Sequence, residues 1–383
     1  MLQVQDKLSA FGTTIFTVMS ALAQKHNAIN LSQGFPDFEP DKKLIDIATK
    51  YLNSSFQQYA PMPGDLGLRE TVSEIVWNCY QRKLNPETEI TITAGATQAI
   101  YTAIATFVSK GDEVIIFEPA YDCYAPSIIA NGGIPVYSEL KYPEFKIDWN
   151  DVKQKLNPKT KLIIINSPHN PTGSILSKED IDILTEITRN TNTLILSDEV
   201  YEHIIFDNEI HHSVLRYEEL FQRSIMVSSF GKTIHTTGWK IGYLAAPENL
   251  MNLLRKVHQF LVFAVNHPLQ KTIAEYLKNP ENYLNIKTFY QQKRDFFIEK
   301  IKHSHFKIFP TKGTYFVLLD YSKISNKKDT DFAIELIEQF KIASIPMSVF
   351  YHQQKDYHLL RFCFAKKNET LENAGKIISV LKN

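Results

Sequence analysis

The chain has 383 residues, 44% of them hydrophobic and 22% charged, with Lys+Arg and Asp+Glu equal at 42 each. At about 150 residues per domain the length suggests two domains or one large α/β unit with a lobe, and the composition excludes disorder. The balanced charge supplies no net positive field for a polyanion or a membrane surface, so neither nucleic acid nor membrane is expected as a partner.

The longest unbroken apolar run, Phe260 to Val265, has six residues, whereas a membrane-spanning helix needs about 20. The opening Met1-Leu2-Gln3-Val4-Gln5-Asp6 has neither the basic nor the apolar region of a signal peptide. Cys79, Cys123 and Cys363 are far apart and form no CxxC pair, so neither a disulfide framework nor a zinc ribbon is encoded. The expectation is a reduced, soluble, cytoplasmic protein.

The first 40 residues carry the polar turn cluster Gln33-Gly34-Phe35-Pro36-Asp37 and are expected to pack with a C-terminal lobe. From Glu89 to Ala246, short β-branched runs alternate with segments of helical period, the pattern of a mainly parallel sheet wrapped in helices. Ile90 to Thr93 is a strand and Thr97 to Val108 its following helix. Val114 to Phe117 and Leu162 to Ile165 are continuous apolar runs, as in strands buried on both faces. Ser177 to Arg189 reads as helix, and Leu194 to Leu196, Ile225 to Val227 and Ile241 to Ala245 read as strands.

Asn249 to Ile301 is almost wholly helical in pattern, divided at Pro268 and Pro280. Tyr315 to Leu319, Ile342 to Ile345 and Leu359 to Phe364 read as strands, with helices at Asp331 to Phe340 and Leu371 to Leu381. The fold class is α/β. A large domain (41–280) with a mainly parallel mixed sheet flanked by helices is joined by a small α+β domain (281–383) and an N-terminal segment (1–40).

Ligands of open parallel sheets bind outside the carboxyl ends of the strands. After the first strand come Ala94-Gly95-Ala96-Thr97, small residues opening a helix, whose free N–H groups favour a phosphate. Later strands are followed by Asn166-Ser167-Pro168-His169-Asn170-Pro171-Thr172-Gly173, by Ser197-Asp198-Glu199-Val200-Tyr201, and by Ser228-Ser229-Phe230-Gly231-Lys232-Thr233. Singly, these read as a turn, a helix-start acid pair and a loop lysine, and Gly-Lys-Thr lacks the upstream glycine of a P-loop. Together they set an anion site, an amide, a carboxylate with a phenol, and a lysine at successive strand ends. Packing alone does not explain that combination.

In motif order and spacing the chain resembles the fold-type I, class I/II aminotransferases, which use pyridoxal 5'-phosphate. The motifs are those just quoted, with Gly238-Trp239-Lys240-Ile241-Gly242 and a late Arg361. Ser32 to Phe38, Gln58-Tyr59-Ala60-Pro61 and Ile345 to Phe350 are similar to the branch that holds methionine aminotransferases and the kynurenine and glutamine transaminases. Lys256 to Asn266 looks most like the bacterial methionine aminotransferases.

The resemblance implies a role for each matched residue. Lys232 would be joined to the cofactor aldehyde and carry the proton at Cα. Asp198 would pair with the pyridinium nitrogen, Asn170 and Tyr201 would hydrogen-bond the ring oxygen, and Tyr121 would stack on the ring. Ala96 and Thr97 N–H groups, the Ser229 hydroxyl and Lys240 would hold the phosphate. Tyr59 would reach that phosphate from a second subunit, making a homodimer with shared active sites. Arg361 would clamp the substrate α-carboxylate, helped by Asn170 and the Gly34 backbone, with Phe16, Tyr59, Tyr121 and Phe350 bordering the side chain.

His169, His203, His211 and His212 lack metal-ligand spacing and are assigned to structure, with no metal expected. The expected partners are an amino acid and a 2-oxo acid. Three activities stay open: transamination with methionine preferred, β-elimination or kynurenine transamination on the same cofactor, and a non-catalytic regulatory domain of the same shape.

Overall fold

A computed structural model describes residues 6–382. Its thirteen strands are, in chain order, β1 Ile29–Asn30, β2 Ile90–Thr93, β3 Glu113–Glu118, β4 Ile134–Glu139, β5 Thr160–Asn166, β6 Leu194–Asp198, β7 Ser224–Ser229 and β8 Gly242–Ala245. The C-terminal part adds β9 Lys307–Ile308, β10 Phe316–Asp320, β11 Ile342–Ala343, β12 Ile345–Pro346 and β13 Leu359–Cys363.

Seven strands form the large sheet in the order β2-β8-β7-β6-β5-β3-β4. β8 alone runs against its neighbours, and the other pairings are parallel. Successive residues of one strand enter different cores: Ile163 and Ile165 belong to one, Leu162 and Ile164 to the other. Both faces are therefore buried, which is why these strands carry no polar alternation. The helices Ala96–Phe107 and Glu248–Leu261 cover one face, and Leu66–Tyr80 and Lys178–Thr188 pack into the core on the other.

Local signals set the helix ends. Ser177 and Asp180 form a reciprocal capping box at the start of Lys178–Thr188. Pro268 is the second residue of His267–Leu277, where a missing N–H costs nothing, and Pro280 caps Glu281–Leu284.

A four-stranded antiparallel sheet, β12-β13-β10-β9, makes the smaller lobe. β1 pairs in parallel with β11, and the Leu31 carbonyl accepts from Cys363 N at 2.8 Å. These bonds tie the N-terminal segment to that lobe. The run read as one strand, Ile342 to Ile345, is two, because β11 pairs with β1 while β12 pairs with β13. β4 is absent from the sequence reading. It is one of the two edge strands of the large sheet, half-exposed and carrying Pro135, so it shows neither an apolar run nor an unbroken strand pattern. Among the described residues no helix is long and apolar enough to cross a membrane.

Candidate active site

The carboxyl ends of the large sheet open onto a cavity of about 300 Å³, lined on its other side by the small lobe and the N-terminal segment. Ala96, Thr97, Tyr121, Asn170, Asp198, Tyr201, Ser229, Lys232 and Lys240 line it from the sheet side. Phe16 and Gly34 of the N-terminal segment, with Phe316 of β10 and Arg361 of β13, line the other. Tyr59 does not line it: the residue is 81% exposed, its ring edge-on to Phe263.

One end of the cavity suits an anion. The helix Ala96–Phe107 starts there with no side-chain cap, so its first N–H groups stay free. Gly95, its N-cap, has φ +79°, which turns the chain tightly into the helix in a region glycine enters without strain. A Cβ on Gly95 would lie 3.5 Å from Lys240 Nζ. The ammonium thus stands beside the helix start.

Across the floor, Asp198 ends β6. Burial pushes its carboxyl up to about 6, against the hydrogen bonds it accepts from Tyr124 Oη at 2.6 Å and Val200 N at 3.2 Å. Asn166 donates to the Asp198 carbonyl at 2.8 Å and accepts from Asn170 N at 2.8 Å, so one amide fixes two neighbouring loops. Burial raises the Tyr201 phenol, which stays protonated at neutral pH.

Lys232 stands in the middle of the cavity on the short helix Phe230–Thr233, with its Nζ 5.6 Å from the Tyr201 ring centre. Burial pushes its amine down to about 8, and the cations Arg361 and Lys240 act in the same sense. A substantial neutral fraction therefore exists near neutral pH, as a nucleophilic amine requires.

Arg361 is 1% exposed, with its guanidinium carbon 3.8 Å from the Phe316 ring centre. Its Nη1 donates to Asn170 Oδ1 at 2.6 Å and its Nη2 to the Ser32 carbonyl at 3.1 Å, while its Nε has no partner. No carboxylate is among these partners. A buried cation left this way favours an anionic ligand. Phe16 and Phe350 pair at 6.1 Å and flank the same guanidinium at 5.2 and 5.3 Å.

His169 is pushed down to about 3 by burial and pairs with Thr172 Oγ1 at 2.7 Å, and His211 pairs with Glu199 at 2.7 Å. Among the residues without a role in the sequence reading are Asn166 and Phe316, which line the cavity, and Tyr124 and Tyr315, which bond to Asp198 and Lys232. Asn166 sits inside a quoted motif and could have been found as the last residue of an apolar strand. Tyr315 opened a predicted strand and carried no signal beyond that of a core aromatic.

The model of the family "Aminotransferase class I and II" matches residues 26–378. The chain belongs to this family. It is 45% identical to the methionine aminotransferase of Escherichia coli over 97% of each chain, and 34% identical to the kynurenine–oxoglutarate transaminase of Dictyostelium discoideum over 98% of this chain and 95% of that one. A solved Escherichia coli structure, identified with a methionine aminotransferase function, superposes with a TM-score of 0.97 at 44% identity over 99% of this chain and 100% of that one. The fold is that of the fold-type I aminotransferases, and the protein is a transaminase.

Aminotransferases of this family depend on pyridoxal 5'-phosphate. The residues present fit it. The uncapped helix start beside Lys240 matches a phosphate monoester, the buried Asp198 a protonated ring nitrogen, and the partly neutral Lys232 an aldehyde. The unpartnered Arg361 Nε matches a carboxylate beyond it.

Proposed function

We propose that this transaminase holds pyridoxal 5'-phosphate through Lys232 and takes methionine as its preferred amino donor. The observation that carries the reading is the pairing, in one cavity, of a buried amine held near pKa 8 with a buried guanidinium that has no acidic partner.

The cofactor, when bound, supplies an electron sink for bonds at the amino acid Cα. The chain's own residues do the rest. Ala96 and Thr97 N–H groups, Ser229 and Lys240 would hold the phosphate, and Tyr121 would pack against the ring. Asp198, buried at the end of β6, would pair with the ring nitrogen and favour its protonated form. Asn170 and Tyr201 would donate to the ring oxygen. Arg361 orients the donor by its α-carboxylate, with Asn170 and the Gly34 backbone completing the clamp. Lys232 Nζ takes the Cα proton and returns it.

Phe16, Phe350 and Tyr121 give the donor side chain an apolar and aromatic surround, which a flexible, polarisable thioether fills well. The Escherichia coli relative named for methionine supports the same choice. Phenylalanine, tyrosine and glutamine follow as lesser donors and aspartate comes last, since no second arginine receives its side chain. The exposed Tyr59 is assigned to a neighbouring subunit's phosphate, so the active species is a homodimer. We assign the enzyme to the cytoplasm, and divide it into an N-terminal segment (1–40), a large domain (41–280) and a small domain (281–383).

The test is to load the purified protein with pyridoxal 5'-phosphate, reduce it with borohydride and map the label by peptide mass. Label on the Lys232 peptide is expected. Label on a different lysine, or none, overturns the assignment.

A further inference from the structure

The ε-amine of Lys232 is held by two oxygens. Its Nζ donates to the Gly34 carbonyl at 2.9 Å and to the Tyr315 hydroxyl at 2.6 Å. The Tyr315 hydroxyl donates in turn to the same Gly34 carbonyl. That bond commits the phenolic proton, so Tyr315 Oη meets Lys232 as an acceptor. A neutral amine has two N–H bonds and one lone pair. Both N–H bonds are engaged here, and tetrahedral geometry turns the lone pair away from both oxygens. In the ammonium form the third N–H takes that same direction.

Neither anchor is loosely placed. Tyr315 is fully buried, with its ring edge-on to Tyr201 at 5.1 Å and to Phe316 at 4.9 Å. Thr314, just before it, has φ +65°, a left-handed conformation that is strained for a β-branched residue. Its N–H is fixed to the Ile204 carbonyl at 3.0 Å, and its Oγ1 accepts from Phe316 N at 3.2 Å. Strain of this kind persists where the surroundings over-determine a position, and it clusters at functional sites. On the other side, a Cβ on Gly34 would lie 2.8 Å from Phe316 Cζ. Any other residue at position 34 would have to displace the Phe316 ring.

We propose that Tyr315 is a positioning residue for proton transfer: with the Gly34 carbonyl it clamps the free ε-amine of Lys232, so that the one remaining valence of Nζ faces the reacting Cα. The Cα–H bond breaks, its electron pair stays behind at Cα, and the proton forms the third N–H bond on Nζ. This rests on the reading that Lys232 is the reacting lysine. Burial holds the Tyr315 phenol well above its ordinary value, which keeps it protonated and its accepting role constant. The other titratable groups facing Lys232 are Asp198 of β6, Arg361 and Cys363 of β13, Lys240 and Tyr201. Replacing Tyr315 by Phe keeps all of these side chains, but it also removes a hydroxyl that acts on Tyr201 and Arg361.

The test measures the cofactor-free chain first. Acetylation of Lys232 by trace acetic anhydride is followed against pH by peptide mass spectrometry. In Tyr315→Phe the ammonium loses an acceptor while the ring stays, and the Lys232 midpoint falls by about one pH unit. The control is Tyr290→Phe, because the Tyr290 ring also packs on Tyr315 but its hydroxyl pairs with His235 at 2.9 Å. Its midpoint stays with the wild type. In the loaded enzyme Tyr315→Phe lowers kcat by about tenfold or more with KM within about twofold, and enlarges the isotope effect of deuterium at the donor Cα. An unshifted Lys232 midpoint in Tyr315→Phe overturns the proposal. So does an equal shift in Tyr290→Phe, which would make the effect one of packing. Borohydride mapping reads the attachment lysine separately, so failure of that reading and failure of this proposal are distinguishable.

Discussion

Arg361 Nη1 donates to Asn170 Oδ1 at 2.6 Å, joining a strand of the small sheet to a loop of the large one across 191 residues of sequence. The bond aims the guanidinium but leaves its Nε unsatisfied, at a position 1% exposed and stacked on Phe316. Such a group is held ready for a bidentate anion.

Truncation of Arg361 should therefore act on substrate recognition. Arg361→Ala is expected to lower kcat/KM by an amount equivalent to about 2–5 kcal/mol, and Arg361→Lys to restore only part, since an ammonium cannot reproduce the fork. Steady-state kinetics with methionine checks this. Unchanged kcat/KM in Arg361→Ala would remove the residue from the site.

Asp198 exchanges stability for cofactor binding. Its folded-state carboxyl is raised to about 6 from an ordinary 3.8, mainly by burial. The folded state thus binds this proton more tightly than the unfolded state, and stability contributed by the group falls as pH rises from about 4 through 6. Asp198→Asn is expected to stabilise the cofactor-free protein at pH 7 by up to about 3 kcal/mol, with the gain vanishing near pH 4, and to weaken cofactor binding. Denaturant unfolding of both proteins at the two pH values is the check, and equal stability at pH 7 would contradict it.

Lys232 gives a pH dependence of the opposite kind. Only the neutral amine attacks an aldehyde, and the amine is held near 8 by burial. The rate at which the cofactor-free protein takes up pyridoxal phosphate should rise with pH through about 8 and then level off. A stopped-flow rate still climbing toward pH 10 would mean a lysine without the expected desolvation.

Tyr59 tests the shared site. Subunits carrying Lys232→Ala and subunits carrying an inactivating Tyr59 replacement should recover part of the activity when combined in verified heterodimers. No recovery would leave Tyr59 as a surface aromatic packed on Phe263, where it stands in the single chain.

The fold was legible where burial on both faces makes a strand a continuous apolar run, as in Leu162 to Ile165, and where prolines mark helix ends, as at Pro268 and Pro280. It was not legible at β4, whose half-exposed residues and Pro135 erase the pattern, nor at Ile342 to Ile345, where one apolar run serves two sheets. Residues at strand ends could be singled out because local order places them there. Tyr315 could not, because its meaning lies in contacts with Lys232, 83 residues away, and with Gly34, 281 residues away. A tyrosine next to a threonine in an apolar stretch reads as core until those partners are known.

The most direct measurement of the central claim is the half-reaction. The cofactor-loaded enzyme is mixed with methionine, and separately with aspartate, in the absence of any 2-oxo acid, and followed by absorbance and product assay. The account predicts one equivalent of the 2-oxo acid of methionine per site, then no more until an acceptor is added. It also predicts a rate with aspartate lower by about a hundredfold or more, the consequence of burying an unpaired side-chain carboxylate at a cost of several kcal/mol. Continued release of 2-oxo acid without acceptor, or aspartate matching methionine, would contradict it.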